Sequence, residues 1–231
     1  MNTRYLKYAV GEIVLVVIGI LIALSINNWN ERLKDRAYEV RMLSELKVAL
    51  DSDIAVFSRF EKLMKDWRKS VLFLIDVVNS SEPQNLKRDS ILYHVDVLDG
   101  FGVYALSNTG PYESIKSSGL DKISNNDLRS KIAQFYGSDL ASFDIWINEI
   151  IRQTITEKFQ LFEKLFDRKV TRVDNMIETE LIIEDLNFLK DPDFIEILIK
   201  SHQIIDNTIP PFQSNKKTMV NLSEMIKNEI Q

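Results

Sequence analysis

The sequence predicts an all-α protein, in which one N-terminal transmembrane helix continues into a long helix and is followed by an antiparallel helical-bundle-like extramembrane domain. Three observations carry this. Residues 8–29 read YAVGEIVLVVIGILIALSINNW, an apolar stretch long enough to cross a bilayer. From Glu31 to Asn79 apolar residues recur at helical spacing with no glycine or proline between them. The 231-residue chain holds only 7 glycines and 5 prolines, which leaves few turns and therefore long helices.

A spanning helix needs about 20 mostly apolar residues to match a hydrocarbon core about 30 Å thick. The unbroken run Ile13–Ile26, extended by Tyr8, Ala9, Val10 and Gly11, meets that length. Tyr5 and Tyr8 at one end and Trp29 at the other suit interfacial aromatics, and Asn27, Asn28 and Asn30 give a polar exit. A cleaved signal peptide is the alternative, because Ala23-Leu24-Ser25 follows a basic start (Arg4, Lys7). Glu12 at the head of the run and the lack of a polar spacer before that site favour an uncleaved anchor. Residues 1–30 are thus read as tail and anchor, and 31–231 as one helical domain, long enough to bury a core. Basic residues flank the anchor almost equally, Arg4 and Lys7 before it and Arg32, Lys34 and Arg36 after it. Orientation is therefore weakly encoded, and a periplasmic domain is the expectation.

At one residue per 100°, Glu12, Gly19 and Ala23 share a face of the span, with Asn27 close by. Gly19-x-x-x-Ala23 lets another helix approach closely. The face is a candidate membrane-helix interface, with Glu12 hydrogen-bonded to a partner; the plainer alternative has Glu12 snorkelling at the boundary.

Beyond the anchor, Leu33, Ala37, Val40, Leu43, Leu50, Ile54, Phe57, Met64, Trp67, Val71, Leu74 and Val78 form one amphipathic face over roughly 70 Å. Such a pattern suits a coiled-coil stalk or the first helix of a bundle. The bulky Phe57, Phe60, Trp67 and Phe73 favour a bundle core in its distal half. Ser80-Ser81-Glu82-Pro83 ends the helix. A short helix is expected from about Asp89 to Leu98, then an irregular region from Asp99 to Asn126. Within it PYESIKSS forms a compact helix, with Pro111 in its first turn and Gly119 just past its end. Ser124-x-x-Asp127 resembles a capping box opening a helix from about Asn125 to Arg168, with Leu128, Ile132, Phe135, Phe143, Trp146, Ile150, Phe162, Leu165 and Phe166 as its inner stripe. Asp174–Glu184 reads as a weaker helix or linker. Asp191-Pro192 opens a helix to about Asp206, Pro210-Pro211 breaks it, and Gln213–Ile230 is a final amphipathic helix.

The absence of cysteine excludes disulfides and thiolate metal sites. Net charge is −5; the segment through Arg36 carries +2, so the body carries −7, which argues against nucleic acid as a partner. Of the two histidines, His94 has Asp96 two residues on and His202 has Glu196 six residues before it, neither the i, i+3 or i, i+4 spacing of helical metal sites, and no phosphate-binding loop or nucleophile elbow is present. No catalytic, cofactor or metal residue is assigned. The best surface candidate is Tyr112, Glu113, Lys116, Ser117 and Ser118, where a short helix N-terminus beside Lys116 could take an anion or the polar end of a partner. The competing reading has Tyr112, Ile115 and Leu120 pinning the segment to the bundle, with the serines bonded to backbone.

Two blocks, KYAVGEIVLVVIGILIALSINNWNE (Lys7–Glu31) and PYESIKSSGLDKISNNDLRSKIAQFY (Pro111–Tyr136), together resemble a family of bacterial single-pass membrane proteins classed as a domain of unknown function and typical of one Gram-negative lineage. The resemblance covers most of the chain. It implies a helical domain on one anchor in the inner membrane, with no assigned activity and no catalytic residues to carry over. It also implies a longer basic stretch before the anchor than this chain has, and so either a short variant or a start upstream of Met1. The expected role is interaction, as a scaffold or accessory component of a membrane complex with a protein partner or a second copy. The alternative is a sensory or ligand-binding bundle that signals through the membrane helix.

Overall fold

The computed structural model describes residues 3–80, 87–103 and 107–231, with side chains from residue 11 onward. The side chains of Arg4, Tyr5, Lys7 and Tyr8, expected to flank the anchor, and residues Ser81, Glu82 and Pro83, expected to end the first helix, lie outside the described residues.

Helix α1 runs unbroken from Thr3 to Asn79, 77 residues, because nothing between the anchor and Asn79 interrupts backbone hydrogen bonding. Its side chains are exposed from Gly11 through Ala37, and burial begins at Glu39. Leu33 and Ala37 were expected on the buried face, but the bundle starts one turn later and leaves Leu33 52% exposed. From there Leu43, Leu46, Leu50, Phe57, Phe60, Met64, Val71 and Leu74 form the core face. Helix α2, Arg88–Asp99, returns antiparallel along the distal half of α1: His94 reaches Ser70 at 2.9 Å, and Phe101, just beyond α2, meets the Trp67 ring edge-on at 4.0 Å.

The chain then descends along α1 toward the anchor. The backbone N–H of Asn108 meets Asp53, α3 (Gly110–Ser118) packs alongside, and Ser124 meets Glu39. Gly119 takes φ +105°, a region that favours glycine and lets the chain leave α3 sharply. A turn of 3₁₀ helix, Leu120–Lys122, completes the descent.

The rod that climbs back consists of α4 (Asn126–Gln134), α5 (Leu140–Ile145) and α6 (Arg152–Leu165), joined without a break by π-helical turns at Phe135–Asp139 and Trp146–Ile151. Its cap differs from the capping box expected at Ser124. Asn125 is the cap, its side chain accepting from the N–H groups of Asp127 and Leu128 at 3.1 Å each, while Ser124 is committed to Glu39. The π turns also change the buried stripe. A π turn inserts one residue and rotates everything after it, so Ile147 and Ile151 face the core, while Trp146 and Ile150, expected inside, are 38% and 50% exposed.

Residues 174–184, expected as weak helix or linker, instead close a β-hairpin. Strand β1 (Asp167–Val173) pairs antiparallel with β2 (Met176–Ile182) in register Val173↔Met176 through Asp167↔Ile182. A concentration of β-branched residues, Val170, Thr171, Val173, Ile177, Thr179 and Ile182, favours strand, and Asp174 adopts φ +54° at the two-residue turn, the sign such hairpins require. The fold stays overwhelmingly helical.

Helix α7 spans Pro192–Ile230 without interruption. Asp191 caps it, accepting from Asp193 N–H at 2.8 Å, with Pro192 in the first turn as expected. The break expected at Pro210-Pro211 does not occur; both prolines sit inside the helix. Contacts run in opposite order along α1 and α7, Arg36 with Glu229, Glu61 with Lys216, and Arg68 with Asp206, which makes the pair antiparallel. Phe57, Phe143 and Phe212 meet at centroid separations of 4.6–5.9 Å, joining α1, the α4–α6 rod and α7 into a three-helix bundle with one core.

Candidate functional site

The PYESIKSS helix divides its candidate residues between core and solvent. Tyr112 is buried and stacks on Tyr136, with ring centroids 4.6 Å apart and planes 11° from parallel. The two ends of the sequence block Pro111–Tyr136 therefore touch in space. Ile115 is buried beside it, Ser117 donates to Ser114 O at 2.9 Å and Ser118 to Ile115 O at 3.0 Å. Glu113 and Lys116 are exposed and 3.7 Å apart in a loose i, i+3 pair. Glu113, Lys116, Ser117 and Ser118 thus form a small polar surface above the tyrosine pair. Behind that pair lies Asp53, buried and receiving the Asn108 N–H at 3.0 and 3.2 Å. Burial pushes the Asp53 carboxyl up, partly offset by that backbone donor. The Tyr136 hydroxyl is also pushed up, by burial first and the Asp53 charge second, and has no hydrogen-bond partner among the described residues.

The second polar constellation sits where α1 enters the bundle. Glu39 is buried, accepts from Ser124 N–H at 2.7 Å and from its hydroxyl, and pairs with Arg36 at 2.7 Å. Burial would raise the Glu39 carboxyl, but the donors outweigh it and hold it below the usual range. Arg36 also reaches Glu229 through its side chain at 3.2 Å and its backbone carbonyl, and Asn125 donates to the same carboxylate at 2.7 Å. One knot therefore ties the exit of the apolar helix to the start of α4 and the end of α7.

A third, Lys158, is fully buried on α6. Its Nζ donates to Leu98 O at 2.6 Å and Phe101 O at 2.7 Å, closing the end of α2, and lies 4.3–5.6 Å from the centroids of Phe101, Phe159 and Phe162. Burial pushes its amine down to about 7, against the opposing pull of Asp99. Two N–H donors of a neutral amine match the two carbonyls.

The remaining residues singled out in the sequence are dispersed. Glu12, Gly19 and Ala23 lie on the exposed length of α1, and no atom comes within 4 Å of a side chain built at Gly19. His94 bonds Ser70, and His202 lies 3.2 Å from Asp206, four residues on, so the i, i+4 carboxylate partner that was not expected for this histidine is present and corrects that reading; among the described residues no third metal-ligating side chain joins the pair. Glu39, Asp53 and Lys158 were missed. The signal for them is in the sequence: each occupies a core position of its helix, in the series Glu39-Leu43-Leu46-Leu50-Asp53-Phe57 and Ile151-Ile155-Lys158-Phe162. A charge at such a position either breaks the core or is answered by partners the sequence does not locate.

A helical bundle raised on one long helix, whose membrane-length apolar part lies outside the bundle, defines a class of helical proteins with a candidate membrane span near the N-terminus, the one such helix among the described residues; its 18-residue apolar window has a mean hydropathy of 2.0. Within that class the chain belongs to a family of unknown function (DUF6090), whose model matches residues 12–201. No curated protein and no solved structure matches it.

Proposed function

We propose that this protein is a non-enzymatic, membrane-anchored scaffold, an accessory component of a bacterial inner-membrane complex with its bundle in the periplasm. The observation that carries this reading is the division of α1. Residues 11–37 bury nothing in the chain itself, while the same helix becomes the central core element from Glu39 onward. An exposed apolar stretch of that length needs lipid or another protein to cover it. Passage of the helix through Ala23-Leu24-Ser25 into the bundle without a break favours a retained anchor over a cleaved leader. The buried Glu39, Asp53 and Lys158 are each engaged by structural partners, which leaves the exposed Glu12, Gly19 and Ala23 face and the Tyr112–Ser118 surface as candidates for partners.

Copurification of the tagged full-length protein from gently solubilised native membranes tests the proposal. A stoichiometric membrane protein partner is the expected result, and Glu12→Gln or Gly19→Leu should weaken its capture. Recovery of the protein alone at a defined stoichiometry overturns the accessory role. It would favour the second reading, a sensory bundle, which the Arg36–Glu229 tie supports because it couples the membrane exit of α1 to the C-terminal end of the domain.

A further inference from the structure

At the foot of the bundle, α1 and the descending segment enclose an open cleft of about 410 Å3, lined by Arg32, Asp35, Arg36 and Glu39 on one side and Asp121, Lys122 and Ser124 on the other. Its height relative to the bilayer is set by the anchor, so this inference rests on the membrane-spanning reading above. Trp29 is 60% exposed and marks the interface. Arg32 follows about 4.5 Å further along the axis and Arg36 about 10 Å, which brackets a headgroup layer about 5–7 Å deep per leaflet.

The charges around the cleft are unevenly used. Arg36 is held by Glu39 and Glu229, and Lys122 pairs with Asp35 at 3.1 Å. Arg32 and Asp121 have no ion pair or side-chain hydrogen bond among the described residues. The cleft therefore presents, at the depth of lipid headgroups, one cation and one anion on opposite walls that have no hydrogen-bonded ion pair among the described residues, with Lys122 beside Asp121 already bonded to Asp35. We infer that this cleft binds the headgroup of an amine-bearing zwitterionic phospholipid, with the phosphate on Arg32 and the primary ammonium on Asp121.

The chemistry selects among headgroups. A guanidinium offers a fork of N–H donors to phosphate oxygens. A primary ammonium donates hydrogen bonds to a carboxylate, whereas a quaternary ammonium has no N–H and is ordinarily bound by an aromatic cage. No aromatic residue lines this cleft. A phosphoglycerol headgroup satisfies Arg32 but offers Asp121 only neutral hydroxyls, whose hydrogen bonds are weaker than those of an ammonium.

The test titrates full-length protein in mild detergent with short-chain phosphatidylethanolamine, phosphatidylcholine and phosphatidylglycerol, followed by calorimetry. Phosphatidylethanolamine should bind about tenfold more tightly than either other lipid, the size of effect one charge-assisted contact supplies. Arg32→Ala and Asp121→Ala should each abolish that preference, while Lys62→Ala, far up the bundle, should leave it intact. Equal binding of all three lipids, or a preference that survives both variants, overturns the inference. Competition by inorganic phosphate as strong as by phosphoethanolamine would show a simple anion site and also overturn it. Carbonate extraction of native membranes separates this from the anchor itself. Release of the wild-type chain overturns the membrane-spanning reading and the cleft's placement together, whereas a retained chain indifferent to headgroup overturns the headgroup site alone.

Discussion

The indole Nε1 of Trp146 donates to the backbone carbonyl of Asn207 at 3.2 Å. That carbonyl is the one whose helical partner would be the N–H of residue 211, and residue 211 is proline, which has none. A side chain from the facing rod thus supplies the bond that the proline removes, and α7 continues. Trp146 also opens the second π turn, so the irregularity in one helix answers the irregularity in the other.

A double-mutant cycle should expose this dependence. Trp146→Phe is expected to cost about 1 kcal/mol, one hydrogen bond at a partly exposed site. In a Pro211→Ala background, where an N–H is restored to Asn207, the same change should cost little. Thermal unfolding of the four proteins measures the coupling, and purely additive costs would rule out the compensation.

Lys158 sets a pH dependence with an unusual sign. Its folded-state pKa, about 7, lies below the 10.5 of the free side chain, so the fold disfavours its protonated form. The destabilisation is full below about pH 7 and is relieved as pH rises toward 10.5, by up to about 1.4 kcal/mol per pH unit. Lys158→Met should remove this slope in chemical denaturation between pH 7 and 10. It should also cost about 2–4 kcal/mol at pH 9, because the carbonyls of Leu98 and Phe101 lose their donor.

Glu61 acts in the opposite direction. Hydrogen bonds from Lys216, Lys65 and Gln213 hold its carboxyl down to about 2 against an ordinary 4.5. Its contribution is present above pH 4.5 and is lost as pH falls from there toward 2. Glu61→Gln should cost about 1–2 kcal/mol at neutral pH, allowing for solvent screening, and flatten the acid limb of the stability curve. An unchanged acid limb would remove Glu61 from the acid response.

The knot at the foot of the bundle should behave as a local clamp. Glu39→Ala leaves the Ser124 N–H without its acceptor and frees Arg36 from its closest partner. A loss of about 2–4 kcal/mol is expected. Hydrogen exchange should rise from Ser124 to Leu128 and near Glu229, with the β1–β2 hairpin unaffected. Uniform loss of protection across the bundle would argue against a local role.

The apolar span, the unbroken α1, the α2 and α3 helices, the Asp191-Pro192 start and the predominantly helical architecture were all legible in the sequence. Each rests on information local to the chain: spacing of apolar residues, capping chemistry, and the absence of breakers over a long run. The hairpin was legible in principle, through the β-branched residues on either side of Asp174-Asn175, but its short strands gave a signal weak beside that of the flanking helices. Of the candidate surface, the sequence placed the PYESIKSS helix between its turns, and the stacking of Tyr112 on Tyr136 needed the third dimension.

What the sequence by itself determined is where helices form and which long faces are apolar, because those follow from periodicity and backbone preferences within a few turns. Only the tertiary structure decided whether two prolines would break α7, which residues of the α4–α6 rod face inward, and how Glu39, Asp53 and Lys158 are accommodated. In each case the outcome depends on a partner supplied from a distant part of the chain: the Trp146 indole for a freed carbonyl, Ser124 for Glu39, Asn108 for Asp53, and the end of α2 for Lys158. A local pattern reports the need for such a partner, and packing alone determines which residue meets it.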